Sequence, residues 1–236
     1  MGEVRRAYAQ CPVCSYVFRQ PSASTYVTVG RDSDLCPRFP GFPGRRSDAA
    51  RLIQNGLNNS VTLCPACSFA AAEDFAEITL LSDEREELRE LLREDGLLKV
   101  FRAAQPSWLA FHAADLCGKE RSYDYKELGD LCLRGSWVCR AEREQPFEST
   151  FQLRAIRYYI RALDDEPLDD RELSVTTYLV GELNRRLGHH REALNWYVNA
   201  ERALTQSETG STEARDLSWL DRLICRQREL AREEAA

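Results

Sequence analysis

The chain has 236 residues, 43% hydrophobic and 30% charged, with a formal net charge of −6. That balance excludes a disordered chain, and the longest uncharged apolar stretch, around 61–72, is too short and too polar to span a bilayer. Charge is unevenly spread: residues 1–72 hold eight arginines against four acidic residues, a net of +4, so the remainder carries −10. A change of sign between two parts of a chain points to nucleic acid or an acidic partner for the first part, and an ordinary solvated surface is the other reading.

The first residues, Met1 to Arg6, have no apolar run behind their charges, so they do not read as a secretory signal. Nine cysteines without such a signal suit a reducing compartment, where they act as metal ligands or small buried apolar groups. The expected location is cytoplasmic.

Cys11-Pro12-Val13-Cys14 is the first chemical motif, and Cys64-Pro65-Ala66-Cys67 repeats it about fifty residues later. A Cys-x-x-Cys turn points two sulfurs at one centre, and two such turns complete a tetrahedron of soft thiolate ligands. That donor set selects zinc, with iron as the competitor. A single pair would fit a redox dithiol equally well, but the repetition argues for metal. The predicted ligands are therefore Cys11, Cys14, Cys64 and Cys67.

After the first turn, Tyr16-Val17-Phe18 is strand-prone, residues 20–24 form a turn cluster and Thr25 to Val29 alternates as a second strand, predicting a hairpin. Arg31 to Pro37 leaves that strand, a Pro/Gly-rich loop follows to Arg46, and residues 48–55 have helical composition stopped by Gly56. Ser60 to Leu63 is a short strand delivering the second cysteine pair. About seventy residues bury little apolar surface, so a metal must contribute heavily to this module's stability. Cys36, in a loop beside acids, is a candidate extra ligand or redox thiol, or a thiol packed under the loop.

Cys-Pro-x-Cys, Arg31-Asp32-Ser33-Asp34-Leu35-Cys36-Pro37 and Cys64 to Ala71 together resemble a bacterial family, domain of unknown function 2225. The resemblance implies a cysteine-rich N-terminal part followed by helices similar to tetratricopeptide repeats, and it supplies no activity. The family typically reads Cys-Pro-x-Cys-Gly; Ser15 and Ser68 stand at both glycine positions here. Glycine there eases the positive φ that follows such a turn.

Beyond Ala70 the strand signals stop. Residues 70–79 read as a small-residue amphipathic stretch, Ser82 caps a helix through Arg93, and Asp95-Gly96 breaks it. Further helices are expected over 97–104, from Trp108 past Cys117, over 125–142, and, after a polar insert at Gln145-Pro146, around Ala155. Ala155-x-x-x-Tyr159-x-x-Ala162 recurs as Ala193-x-x-x-Tyr197-x-x-Ala200, offset by 38 residues, with Gly181 and Gly188 before the second copy. These are the small, turn and aromatic positions of a tetratricopeptide repeat, whose period is about 34 residues. A polar helix over 212–234 would cap the array. A generic helical bundle with a chance echo is the alternative.

The predicted architecture is α+β, mostly α: a zinc-ribbon-like module over 1–75 and a tetratricopeptide-like helical domain over 76–236. No phosphate loop, serine elbow or His-Glu-x-x-His segment is present, and His112, His189 and His190 pair with no nucleophile, so no enzyme is expected. The leading function is a zinc-binding adaptor whose helical groove, lined by Tyr178, Glu182 and Arg185, takes a protein segment. Alternatives are a nucleic-acid-associated regulator contacting phosphates through Arg5, Arg6, Arg45, Arg46 and Arg51, or a metal- or thiol-based sensor using Cys36.

Overall fold

The computed structural model describes residues 8–20, 28–39, 60–208 and 217–235. The predicted helix over 48–55, most of the Pro/Gly-rich loop and the start of the strand at Thr25 lie outside these residues, as do Arg5, Arg6, Arg45, Arg46 and Arg51. The described chain is α+β, mostly α, with three short strand pairs followed by eight helices. No described helix is long and apolar enough to cross a membrane.

Two compact units divide the chain, and they cut across the division at residue 75. The first takes Met1–Gly30, Arg38–Tyr123 and Arg134–Glu148. Here β1 (Tyr8–Gln10) pairs antiparallel with β2 (Val17–Arg19), and β5 (Thr62–Leu63) pairs antiparallel with β6 (Ala70–Ala71). The partner of Val17–Arg19 is thus the strand before the first cysteine turn, because the turn itself reverses the chain. Residues 70–79 hold β6 and then turns instead of an amphipathic stretch, since the second cysteine turn returns Ala70 and Ala71 to β5, where both are buried.

The helices of this unit supply a core. Helix α1 (Ser82–Glu94) starts at Ser82 with Leu81 at the cap position, where the Glu84 carboxylate accepts the Leu81 amide at 2.6 Å. Asp95 caps α2 (Gly96–Phe101) by accepting the Leu98 amide at 2.9 Å, and it also pairs with buried His112 at 3.0 Å. Helix α3 (Trp108–Glu120) is buried along most of its length, and β6 packs on it. Phe147 stacks on Trp108 at 4.1 Å, and Phe101 meets both rings edge-on at 5.0 and 5.6 Å. Burial pushes the Cys117 thiol up to about 12, so it acts as apolar filler.

Helices α4 (Tyr125–Glu142) and α5 (Gln145–Asp165) are separated only by residues 143 and 144. The polar insert expected at Gln145-Pro146 is therefore the first turn of α5. Proline suits that position because it has no amide to leave unpaired, and Arg143, at φ 65°, makes the turn.

The second unit takes Arg31–Pro37, Asp124–Leu133 and Ser149–Ala236. It contains the start of α4, most of α5, and helices α6 (Asp170–Arg186), α7 (His190–Glu208) and α8 (Ser218–Ala235). Ala155, Tyr159 and Ala162 are fully buried, and so are Ala193, Tyr197 and Ala200. Each tyrosine lies against a glycine of the other helix of its pair: Gly129 for Tyr159 and Gly181 for Tyr197. Each hydroxyl donates to the acid following that glycine, Tyr159 to Asp130 at 2.8 Å and Tyr197 to Glu182 at 2.9 Å. The echo in the sequence is thus a recurring side-chain arrangement.

A Cβ added at Gly129 would sit 2.5 Å from Tyr159 Cε1, whereas one at Gly181 would sit 3.0 Å from the Tyr197 ring. The Tyr159 ring is pinned by its hydroxyl bond and cannot simply swing away. Overpacking of this kind costs about 1–3 kcal/mol, more than the roughly 1 kcal/mol of helix propensity that alanine returns. Gly129→Ala is expected to lower the denaturant midpoint, and Gly181→Ala to lower it less.

Candidate metal centre

Each cysteine turn is closed by the same two backbone bonds. The Cys11 amide donates to Tyr16 O at 2.9 Å and the Ser15 amide to Cys11 O at 2.9 Å; the Cys64 amide donates to Phe69 O at 2.8 Å and the Ser68 amide to Cys64 O at 3.0 Å. The two knuckles are therefore copies in geometry as well as in sequence, and each ends in a short strand pair that fixes its direction.

Together they gather four sulfurs, those of Cys11, Cys14, Cys64 and Cys67, all within 4.8 Å of one another. The close pairs run between knuckles, Cys11 to Cys67 and Cys14 to Cys64, each at 3.6 Å. Zinc–sulfur bonds of about 2.3 Å in a tetrahedron place sulfurs about 3.8 Å apart, close to what is found here. A disulfide would need about 2.05 Å. Cys11 and Cys64 are buried, while Cys14 and Cys67 are partly exposed. The donor set, its spacing and its closure by four protein ligands fit a structural metal ion.

The sulfurs constrain one another electrically. Hydrogen bonds from Cys11 and then Cys67 bring the Cys64 thiol down to about 2. The bond to Cys64 pushes Cys11 up to about 12, and the bonds to Cys11 and Cys64 push Cys67 far above the thiol range. Four thiolates gathered this closely would repel one another without a cation among them, and because ligands bind as thiolates, metal binding would release protons.

Both residues following the knuckles adopt the left-handed backbone, Ser15 at φ 61° and Ser68 at φ 66°. A side chain costs about 1 kcal/mol in that conformation and glycine does not. Ser15→Gly and Ser68→Gly are each expected to raise the unfolding midpoint by up to about 1 kcal/mol of stability, measured by denaturant titration. No change in either would show that the strain is absent.

The family model described as an uncharacterised protein conserved in bacteria, DUF2225, matches residues 6–218. The chain belongs to this family. Comparison of this DUF2225 chain with curated proteins and with solved structures finds no significant match.

Cys36 is not a member of the four-sulfur group; it is buried in the second unit, 3.9 Å from its own neighbour's carbonyl, Pro37 O. The segment Arg31–Pro37 is the tip between β3 (Gly30–Arg31) and β4 (Pro37–Arg38), two strands paired with each other. The Asp32 amide donates to Cys36 O at 2.8 Å and the Leu35 amide to Asp32 O at 2.9 Å, with Leu35 left-handed at φ 64°. Tyr178 donates its hydroxyl to Ser33 O at 2.6 Å, the Ser33 hydroxyl donates to Glu182 at 2.7 Å, and Arg186 reaches Asp34 at 3.4 Å.

This corrects the reading of Tyr178, Glu182 and Arg185 as an open groove. Tyr178 and Glu182 are fully buried, and they hold the chain's own hairpin tip. Arg185 donates to Glu182 at 3.0 Å and to Glu234 at 3.1 Å. Burial raises both Tyr178 and Tyr197 above the usual phenol range, so each remains a protonated donor. Sequence reasoning also missed two arginines at the knuckles. Arg89 donates to Val13 O at 2.6 Å and Arg102 to Ala66 O at 3.2 Å. On the sequence, Arg89 belongs to a charged helix edge that reads as helix support, and nothing in its spacing points to a cysteine turn.

Proposed function

We propose that this DUF2225 chain is a non-enzymatic, zinc-stabilised adaptor, in which a closed four-cysteine site fixes the fold and helices carry the contact with a protein partner. The observation that carries this reading is the gathering of four sulfurs within 4.8 Å, two of them buried. A catalytic zinc keeps three protein ligands and an open position for water or substrate; four cysteines fill the coordination shell. Zinc is the choice over iron because it needs no redox role and tolerates a purely structural task.

The recurring glycine–tyrosine arrangement of α4 with α5 and α6 with α7 supports a helical-repeat reading of the second unit. Because the hairpin tip occupies the seat at Glu182, a partner would contact outward helix faces, where Leu153 and Val198 are the exposed large apolar side chains of this unit among the described residues. The test is capture of a partner on the full zinc-loaded chain under native conditions, compared with Leu153→Glu and Val198→Glu. A partner bound in constant stoichiometry and lost on either substitution, with circular dichroism unchanged, supports the adaptor. Binding that ignores both substitutions, or that disappears on nuclease treatment, overturns it.

A further inference from the structure

Four thiolates around a divalent cation leave a net charge of about −2 at the first unit's metal centre. That charge is half-buried and must be met by donors or cations in the surrounding shell. We infer that Arg89 and Arg102 are positioning residues of this centre, one for each knuckle, whose guanidinium groups fix the turn carbonyls and offset the thiolate charge. The inference rests on the zinc reading above.

The correspondence between the two contacts carries the argument. Val13 and Ala66 occupy the same place, the third residue of each Cys-Pro-x-Cys turn. Each receives a guanidinium hydrogen bond at its carbonyl, from Arg89 of α1 and from Arg102 just after α2. These arginines lie 76 and 36 residues from their acceptors. Two unrelated positions thus supply the same donor to the same atom of two copied turns.

The surroundings agree with this role. A cleft of about 270 Å³ opens onto Cys67 and Ser68, and Arg89, Arg93, Lys99 and Arg102 line it. Arg93 is paired with Glu90 and Glu94, and Lys99 with Glu94, so these two are balanced by carboxylates on the helix surface. Arg89 shares its other nitrogen with Glu86 while still reaching Val13. Among the described residues, the cationic head groups that reach the knuckle backbone are those of Arg89 and Arg102. An arginine can both bond a carbonyl and keep its charge at any working pH, which a neutral donor cannot. Outer partners of this kind commonly set metal affinity by about 10–100-fold.

The test uses the full chain loaded with Co²⁺, whose absorption reports a tetrathiolate site, and then Zn²⁺ in competition with a chelator. The compared variants are Arg89→Gln, Arg102→Gln, the double variant, and Arg89→Lys with Arg102→Lys. Each glutamine variant is expected to weaken metal affinity about tenfold, the double variant to approach a hundredfold, and the lysine variants to recover most of the loss. The glutamine effects should shrink as salt is raised, because part of the support is charge. Affinities within twofold of the unsubstituted chain in all glutamine variants would overturn the inference, as would equal losses for lysine and glutamine independent of salt. If the unsubstituted chain shows no tetrathiolate cobalt spectrum, it is the zinc reading that fails, and the two failures are told apart at the first step.

Discussion

Cys11→Ser is expected to remove the ordered knuckles from the first unit. In amide hydrogen exchange the Cys11, Ser15, Cys64 and Ser68 amides, all donors in the knuckle turns, should lose their protection together. Structural zinc contributes about 10–16 kcal/mol of apparent binding energy linked to folding, against about 5–15 kcal/mol for the stability of a whole domain. The strands that frame the site are only two or three residues long, too short to persist on their own. Helices α1 to α3 have their own aromatic and aliphatic packing around Trp108 and Phe111, so their far-ultraviolet signal should largely survive. Chelation of the metal from the unsubstituted chain should reproduce the same loss. Full protection of all four amides in the Cys11→Ser chain would show that the knuckles fold without the complete cysteine set.

Glu182→Ala is expected to be nearly as damaging, in the second unit. The carboxylate is fully buried and accepts from Ser33 at 2.7 Å, Arg185 at 3.0 Å, Arg186 at 2.8 Å and Tyr197 at 2.9 Å. Removing one partner of a buried charged network leaves the others desolvated and unpaired, which costs about 3–5 kcal/mol. The loss should appear in denaturant unfolding followed through α6 and α7, and the hairpin tip at Ser33 and Asp34 should become accessible to protease. Glu182→Gln keeps the shape and some acceptors, so its cost should be smaller. A change below about 1 kcal/mol for Glu182→Ala would show that the network contributes little.

The four-cysteine cluster is legible because its parts are written into local spacing: two sulfurs three residues apart, twice. The mostly helical remainder was legible for a related reason, since α6 and α7 keep apolar periodicity over 17 and 19 residues. Strands of two or three residues have no period to read, and so β1 and β6 escaped, with Ala70 and Ala71 read as the start of an amphipathic stretch. The role of Arg31–Pro37 was hidden because its partners lie far off, Ser33 being 149 residues from Glu182. That distance also explains why Tyr178 and Glu182 looked available for a groove. A further signal lies in the sequence: Leu128-Gly129-Asp130-Leu131 matches Val180-Gly181-Glu182-Leu183. It extends the echo of Tyr159 and Tyr197 to the opposite helix of each pair.

Native mass spectrometry with elemental analysis of the full chain would decide whether Cys11, Cys14, Cys64 and Cys67 hold one zinc ion. One zinc per folded chain is expected, with these four thiols protected from alkylation until the metal is chelated. A folded chain without metal, in which all four thiols alkylate freely, would rule out the zinc site.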